Sequence, residues 1–208
     1  MRRRSRRDQP FSVAYTARSD DDGPDQVLTL TNNTDVSVIP KIAFTAFNMY
    51  GIELPHVTTQ GVNGSHRGTP LLPAHGSLVD LLRFDGPGAA DVRHVGVQLE
   101  AVEEVDHPAL EGPVRVVMID LDKRAVADPE DFWGIGIANS NPFGVTVRIS
   151  LVSLEDQVRD QPRQPLDVVT LQEDVDVASN SNEVIWLPED VRGHYDLVTH
   201  HLRPQILV

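Results

Sequence analysis

Apolar and polar residues alternate with a period of two along almost the whole chain, and the alternation is interrupted by clusters of Gly, Pro, Asn and Asp. A period of two puts successive side chains on opposite faces of an extended strand, whereas a helix needs apolar residues three and four apart. Helical spacing is almost missing, so an all-β protein is predicted. Phe11, Val13, Tyr15 and Ala17 alternate with Ser12, Ala14, Thr16 and Arg18, up to the turn-rich run Asp20-Asp21-Asp22-Gly23-Pro24. The next run, Val27 to Thr31, is broken by Asn32-Asn33-Thr34-Asp35, because Asn and Asp tolerate positive φ and bond their own backbone. Extended pattern resumes at Val38 to Phe47, Leu78 to Phe84 and Val92 to Val102, and a loop rich in Gly, Thr and His covers Gly51 to Thr69.

The same order of signals then returns. Val114 to Leu121 corresponds to the strand at Phe11, and the acidic turn residues 122–131 correspond to 20–25. Ala138-Asn139-Ser140-Asn141 follows Thr31-Asn32-Asn33-Thr34 at an offset of 107 residues. Ser179 to Asn182 precedes Val184-Ile185-Trp186-Leu187 as Ala74 to Ser77 precedes Val79-Asp80-Leu81-Leu82, at an offset of 105. Two offsets this close predict an internal duplication. The expected organisation is a basic arm over residues 1–9, one module over 10–106, a linker over 107–113 and a second module over 114–208.

Each half has room for about seven short strands in about 100 residues, the dimensions of an immunoglobulin sandwich. On Thr31-Asn32-Asn33-Thr34, Leu72-Pro73-Ala74-His75-Gly76-Ser77 and Ala138-Asn139-Ser140-Asn141, the halves resemble bacterial immunoglobulin-like or fibronectin-type-III-like modules. Ala178-Ser179-Asn180-Ser181 departs from that pattern by lacking both the Pro and the Gly. The resemblance implies two tandem antiparallel β-sandwiches with an adhesion, spacer or partner-docking role, and it supplies no catalytic residues.

Charge narrows the partners. The chain carries a net charge of −13, which argues against a general nucleic-acid binder. Arg2, Arg3, Arg4, Arg6 and Arg7 nevertheless form a basic arm, read as a solvated tail or as a tether to an acidic partner, nucleic acid included. Asp8-Gln9-Pro10 follows instead of an apolar segment, so the arm is not read as an export signal, and a cytoplasmic or particle-enclosed location is expected. No apolar run approaches the ~20 residues of a spanning helix. Cysteine is absent, which excludes disulfides, thiol nucleophiles and thiolate metal sites.

No catalytic motif stands out, and a non-enzyme without cofactor or metal is expected. In an extended strand His194 and His200 would stand about 20 Å apart, too far to share an ion. The acidic residues near the linker, Glu103, Glu104, Asp106, Asp120, Asp122, Asp128, Glu130 and Asp131, contain no calcium-loop pattern. Gly134-Ile135-Gly136 reads as a bulge or a close-packing point. Trp133 and Trp186, set among apolar neighbours, are expected to anchor cores. Partner contacts are expected at the arginine arm and at Met49, Tyr50 and Phe143, whose segments read as exposed turns, with a protein or a second copy as partner. The alternative is a carbohydrate-binding or hydrolase-accessory domain whose mouth is the 51–69 loop, drawing on His56, His66, Arg67 and Asp80.

Overall fold

The structure is a computed structural model that describes residues 9–18, 24–126, 132–154, 162–189 and 200–207. Twelve strands carry nearly all of the regular structure among them. No helix among the described residues is long and apolar enough to cross a membrane. The chain divides into two compact units, residues Met1–Ala109 with Glu155–Pro165, and Leu110–Leu154 with Leu166–Val208. Residues 162–165, which the sequence places in the second half, thus cluster with the first unit.

The first unit holds β1 (Phe11–Thr16), β2 (Val27–Asn32), β3 (Ser37–Phe47), β4 (Thr58–Gly61), β5 (Ser77–Asp85) and β6 (His94–Val105). One sheet runs β1-β2-β5-β4 and the other is the pair β3-β6, all antiparallel. Alternation decides what each face does. Leu28 and Leu30 of β2 point inward with Leu78, Leu82 and Phe84 of β5, and they meet Val38, Ile42 and Ala46 of β3 in one buried cluster. Val95, Val97 and Leu99 of β6 pack against it partly buried. Burying a side chain of this size contributes about 1.5–3 kcal/mol, so the cluster holds the two sheets together.

The second unit holds β7 (Val114–Ile119), β8 (Gly134–Asn139), β9 (Val145–Leu154), most of β10 (Pro165–Val177), β11 (Ser181–Trp186) and β12 (His200–Leu207). Its sheets are β7-β8-β11 and β10-β9-β12. Ile135 and Ile137 of β8 meet Val145, Val147 and Ile149 of β9 in a second buried cluster, joined by Val175, Val177 and Leu187.

Strand order β1-β2-β5 with β3-β6 therefore recurs as β7-β8-β11 with β9-β12. The remaining strand differs: β4 extends the first sheet of its unit, whereas β10 joins β9.

A buried asparagine closes the same corner in each unit. Asn32 Nδ2 donates to the carbonyls of Val36 at 2.8 Å and Pro73 at 3.1 Å, while its Oδ1 accepts the Thr34 N–H at 2.9 Å. Asn139 Nδ2 donates to Phe143 at 2.8 Å and Ala178 at 3.0 Å, and its Oδ1 accepts the Asn141 N–H at 3.0 Å. Val36 and Phe143, like Thr34 and Asn141, are 107 residues apart, and Pro73 and Ala178 are 105 apart. The offsets of the sequence pattern are thus the offsets of the hydrogen bonds. His75 and Asn180, also 105 apart, both take positive φ, +53° and +50°. Their N–H groups reach Thr34 O at 3.2 Å and Asn141 O at 3.0 Å.

Candidate functional site

The outward face of β7-β8-β11 is apolar in two of its three rows. Its residues lie in three rows set by strand register: Ile119, Gly134 and Trp186; Val117, Gly136 and Val184; Arg115, Ala138 and Asn182. Small residues occupy every outward position of the central strand. Adjacent strands are about 4.8 Å apart, so the walls on β7 and β11 stand about 10 Å from each other over a floor of backbone. The result is a trough with a cavity of about 380 Å³, in which Arg115 and Lys123 join the apolar side chains. Val117 is 43% and Trp186 45% exposed.

The glycines are there for different reasons. A Cβ on Gly134 would stand 2.9 Å from Trp186 Cε3 and 2.8 Å from the Ile185 carbonyl oxygen, so only glycine lets the indole lie over the strand. At Gly136 a Cβ would meet Val117 Cγ2 at 3.3 Å and Ile119 Cγ2 at 3.4 Å, a tight but adjustable fit. No bulge occurs here, since β8 pairs with both neighbours in unbroken register. Of the two readings of Gly134-Ile135-Gly136, close packing holds.

Charge frames the trough. Lys123 has a φ of +63°, with its N–H on Asp120 O at 3.0 Å, in the turn closed by the Ile119–Ala125 bridge. The neighbouring Arg124 is paired with Asp122 at 3.1 Å, whereas Lys123 and Arg115 have no ion-pair partner among the described residues. Glu183 and Asn182 supply polar groups beside Val184.

Trp186 is therefore not a core anchor. Ile185 packs against the core and Leu187 is buried, so alternation along β11 turns Trp186 outward. Trp133 is partly buried, while its neighbour Phe132 enters the core cluster. Phe143 is likewise partly buried against that core, and its carbonyl belongs to the asparagine corner.

Met49 and Tyr50 do stand out from the surface, 66% and 77% exposed, with Ile52 at 61%. Their turn is tightly held. Asn48 Oδ1 accepts the N–H groups of Tyr50 at 2.9 Å and Ile52 at 3.0 Å, and Gly51 supplies a φ of +73°. Arg2, Arg3, Arg4, Arg6 and Arg7 lie outside the described residues.

The 51–69 loop is organised around a carboxylate that solvent does not reach. Asp80 is fully buried and accepts the N–H groups of Asn63 at 2.7 Å, Leu81 at 2.8 Å and Ser65 at 3.2 Å. Burial pushes its carboxyl above the usual range, while the Ser65 hydroxyl and these N–H groups pull the other way. His66 Nδ1 accepts the Gly61 N–H at 3.0 Å, and burial, aided by Arg67, lowers its imidazole below the ordinary value. Both groups are engaged in shaping the loop.

Among the described residues no group of three or more His, Asp or Glu is placed to hold a metal ion. Asp128, Glu130, Asp131 and His194 lie outside them, and His200 and His201 lie on β12. No protein-family model, curated protein or solved structure matches the chain.

Proposed function

We propose that this chain is a non-enzymatic protein-interaction or assembly module of two tandem immunoglobulin-like β-sandwiches, docking its partner on the outward face of β7-β8-β11. The observation that carries the reading is the glycine-floored trough with half-exposed Val117 and Trp186, because an exposed apolar patch on a net acidic chain calls for a cover. The partner is a protein surface with an apolar ridge flanked by carboxylates, which would face Arg115 and Lys123. The matching asparagine corners and strand orders support the tandem duplication, and the apolar clusters drawn from two sheets in each unit support the sandwich arrangement. The arginine arm is proposed as a separate tether to an acidic partner.

The test compares capture of the native partner by the wild type, by Val117→Asp and by Thr29→Asp, which places the same charge on the corresponding face of the first unit. Loss of capture by Val117→Asp alone, with all three chains melting alike, is the expected result. Equal capture by all three would overturn the reading. A carbohydrate-binding accessory is the second reading, now favoured by the exposed indole of Trp186 rather than by the loop. Retardation in polysaccharide-containing gels that Trp186→Ala removes would support it.

A further inference from the structure

Resting on that docking reading, we infer that the trough takes the Met49-Tyr50-Gly51-Ile52 turn of a second copy of this chain. The two features complement each other. One is an exposed apolar turn with its backbone fixed by Asn48, and the other is an apolar hollow of about 380 Å³. Three large apolar side chains exposed within four residues are a cluster, unlike the scattered exposed apolar residues that need no explanation.

Charge fits as well. Glu53 and Asp91, both exposed, lie beside the tip, while Arg115 and Lys123 border the trough. Arg93 next to the tip, which donates to the Ala90 and Val92 carbonyls, and Glu183 next to the trough provide a pair of opposite sense. Two copies at a net charge of −13 repel each other at long range, so a self-contact requires local complementarity of this kind.

Tip and trough belong to different units, so the contact is heterologous: each copy that inserts its tip still offers a free trough. Copies then join head to tail, in a closed ring or an open run. A contact centred on three side chains falls at the small end of specific interfaces, below about 1,200 Å² in total, so association is weak and requires high protein concentration.

Sedimentation equilibrium of the full chain over a wide concentration range tests this, beside a tip variant, Tyr50→Asp, and two trough variants, Val117→Asp and Val184→Asp. All three sites are solvent-accessible, and matched melting curves check that each variant folds. The wild-type weight-average mass is expected to rise with concentration above that of the monomer. Each variant alone is expected to associate at least tenfold more weakly. An equimolar mixture of Tyr50→Asp with a trough variant retains one intact tip and one intact trough, and is expected to stop at a 1:1 dimer. A wild type that stays monomeric, a variant that still associates, or a mixture that fails to dimerise would overturn the inference. A monomeric wild type whose native partner is still lost on Val117→Asp would sink self-association alone. Retention of that partner would sink the docking reading instead.

Discussion

The outward faces of β1-β2-β5 and β7-β8-β11 differ, although their strands pair in the same order. In the first unit the rows are Thr16, Val27 and Leu81; Ala14, Thr29 and Val79; Ser12, Thr31 and Ser77. In the second unit Gly136 and Ala138 stand where Thr29 and Thr31 do, and Val117 stands where Ala14 does. The face that carries hydroxyls in the first unit is a hollow lined by small and apolar residues in the second. The asparagine corner and the inward apolar residues match, so what holds each unit together is separable from what it presents outward. The fourth strand explains part of the difference. The segment after β4 bonds Leu81, with Val62 N–H on its carbonyl at 2.8 Å, and Leu81 is fully buried. Because β10 joins β9, β11 is left at a sheet edge and Trp186, 105 residues after Leu81, stays half exposed.

The largest expected effect tests the shared part. Asn32→Asp and Asn139→Asp each replace an NH₂ aimed at buried carbonyls with an acceptor. Each orphaned buried group costs about 1–3 kcal/mol, so each variant should lose about 3–4 kcal/mol in denaturant unfolding. Losses that differ several-fold would break the equivalence of the two corners. Next comes the pair that differs. Leu81→Ala should cost about 3 kcal/mol as a fully buried truncation, and Trp186→Ala about 1 kcal/mol because its ring lies on the surface. A larger loss at Trp186 than at Leu81 would reverse the assignment of core and surface.

The carboxylate-centred loop sharpens the comparison further, since Asp80 corresponds to Ile185 in the second unit. A Cβ on Gly61 would stand 2.1 Å from Asp80 Oδ2 and 2.4 Å from Ser65 Oγ, so Gly61→Ala should cost about 1–3 kcal/mol through overpacking. The folded-state pKa of Asp80 is raised above its unfolded value, near 3.9, so the folded form holds its proton more tightly. The stability this group contributes is fully present below the unfolded pKa and is lost as pH rises through the folded one. Asp80→Asn should flatten that part of the stability profile, and an unchanged slope would show that Asp80 does not set it.

The all-β class was legible because alternation and turn residues are local properties, and the asparagine corners fell where the 107 and 105 offsets put them. Trp186 was misread because its neighbours Ile185 and Leu187 are apolar, although the same alternation assigns them to the opposite face. The trough was visible only as small residues at every second position of 134–138. Its walls come from residues 19 and 48 positions away, and register alone brings Val117 and Val184 beside Gly136. The choice of sheet by β10 depends on long-range pairing, which no local pattern encodes.

The most direct measurement gives each face the other's central residue. Gly136→Thr puts a branched polar side chain into the trough, where its Cβ must displace Val117 Cγ2 by only a few tenths of an ångström, and Thr29→Gly opens the corresponding face of the first unit. Capture of the native partner is to be quantified beside unfolding for both variants and the wild type. Loss of capture by Gly136→Thr with its fold retained, and full capture by Thr29→Gly, is the expected result. Undiminished capture by Gly136→Thr, or loss of capture by Thr29→Gly alone, would contradict docking through the second unit's trough.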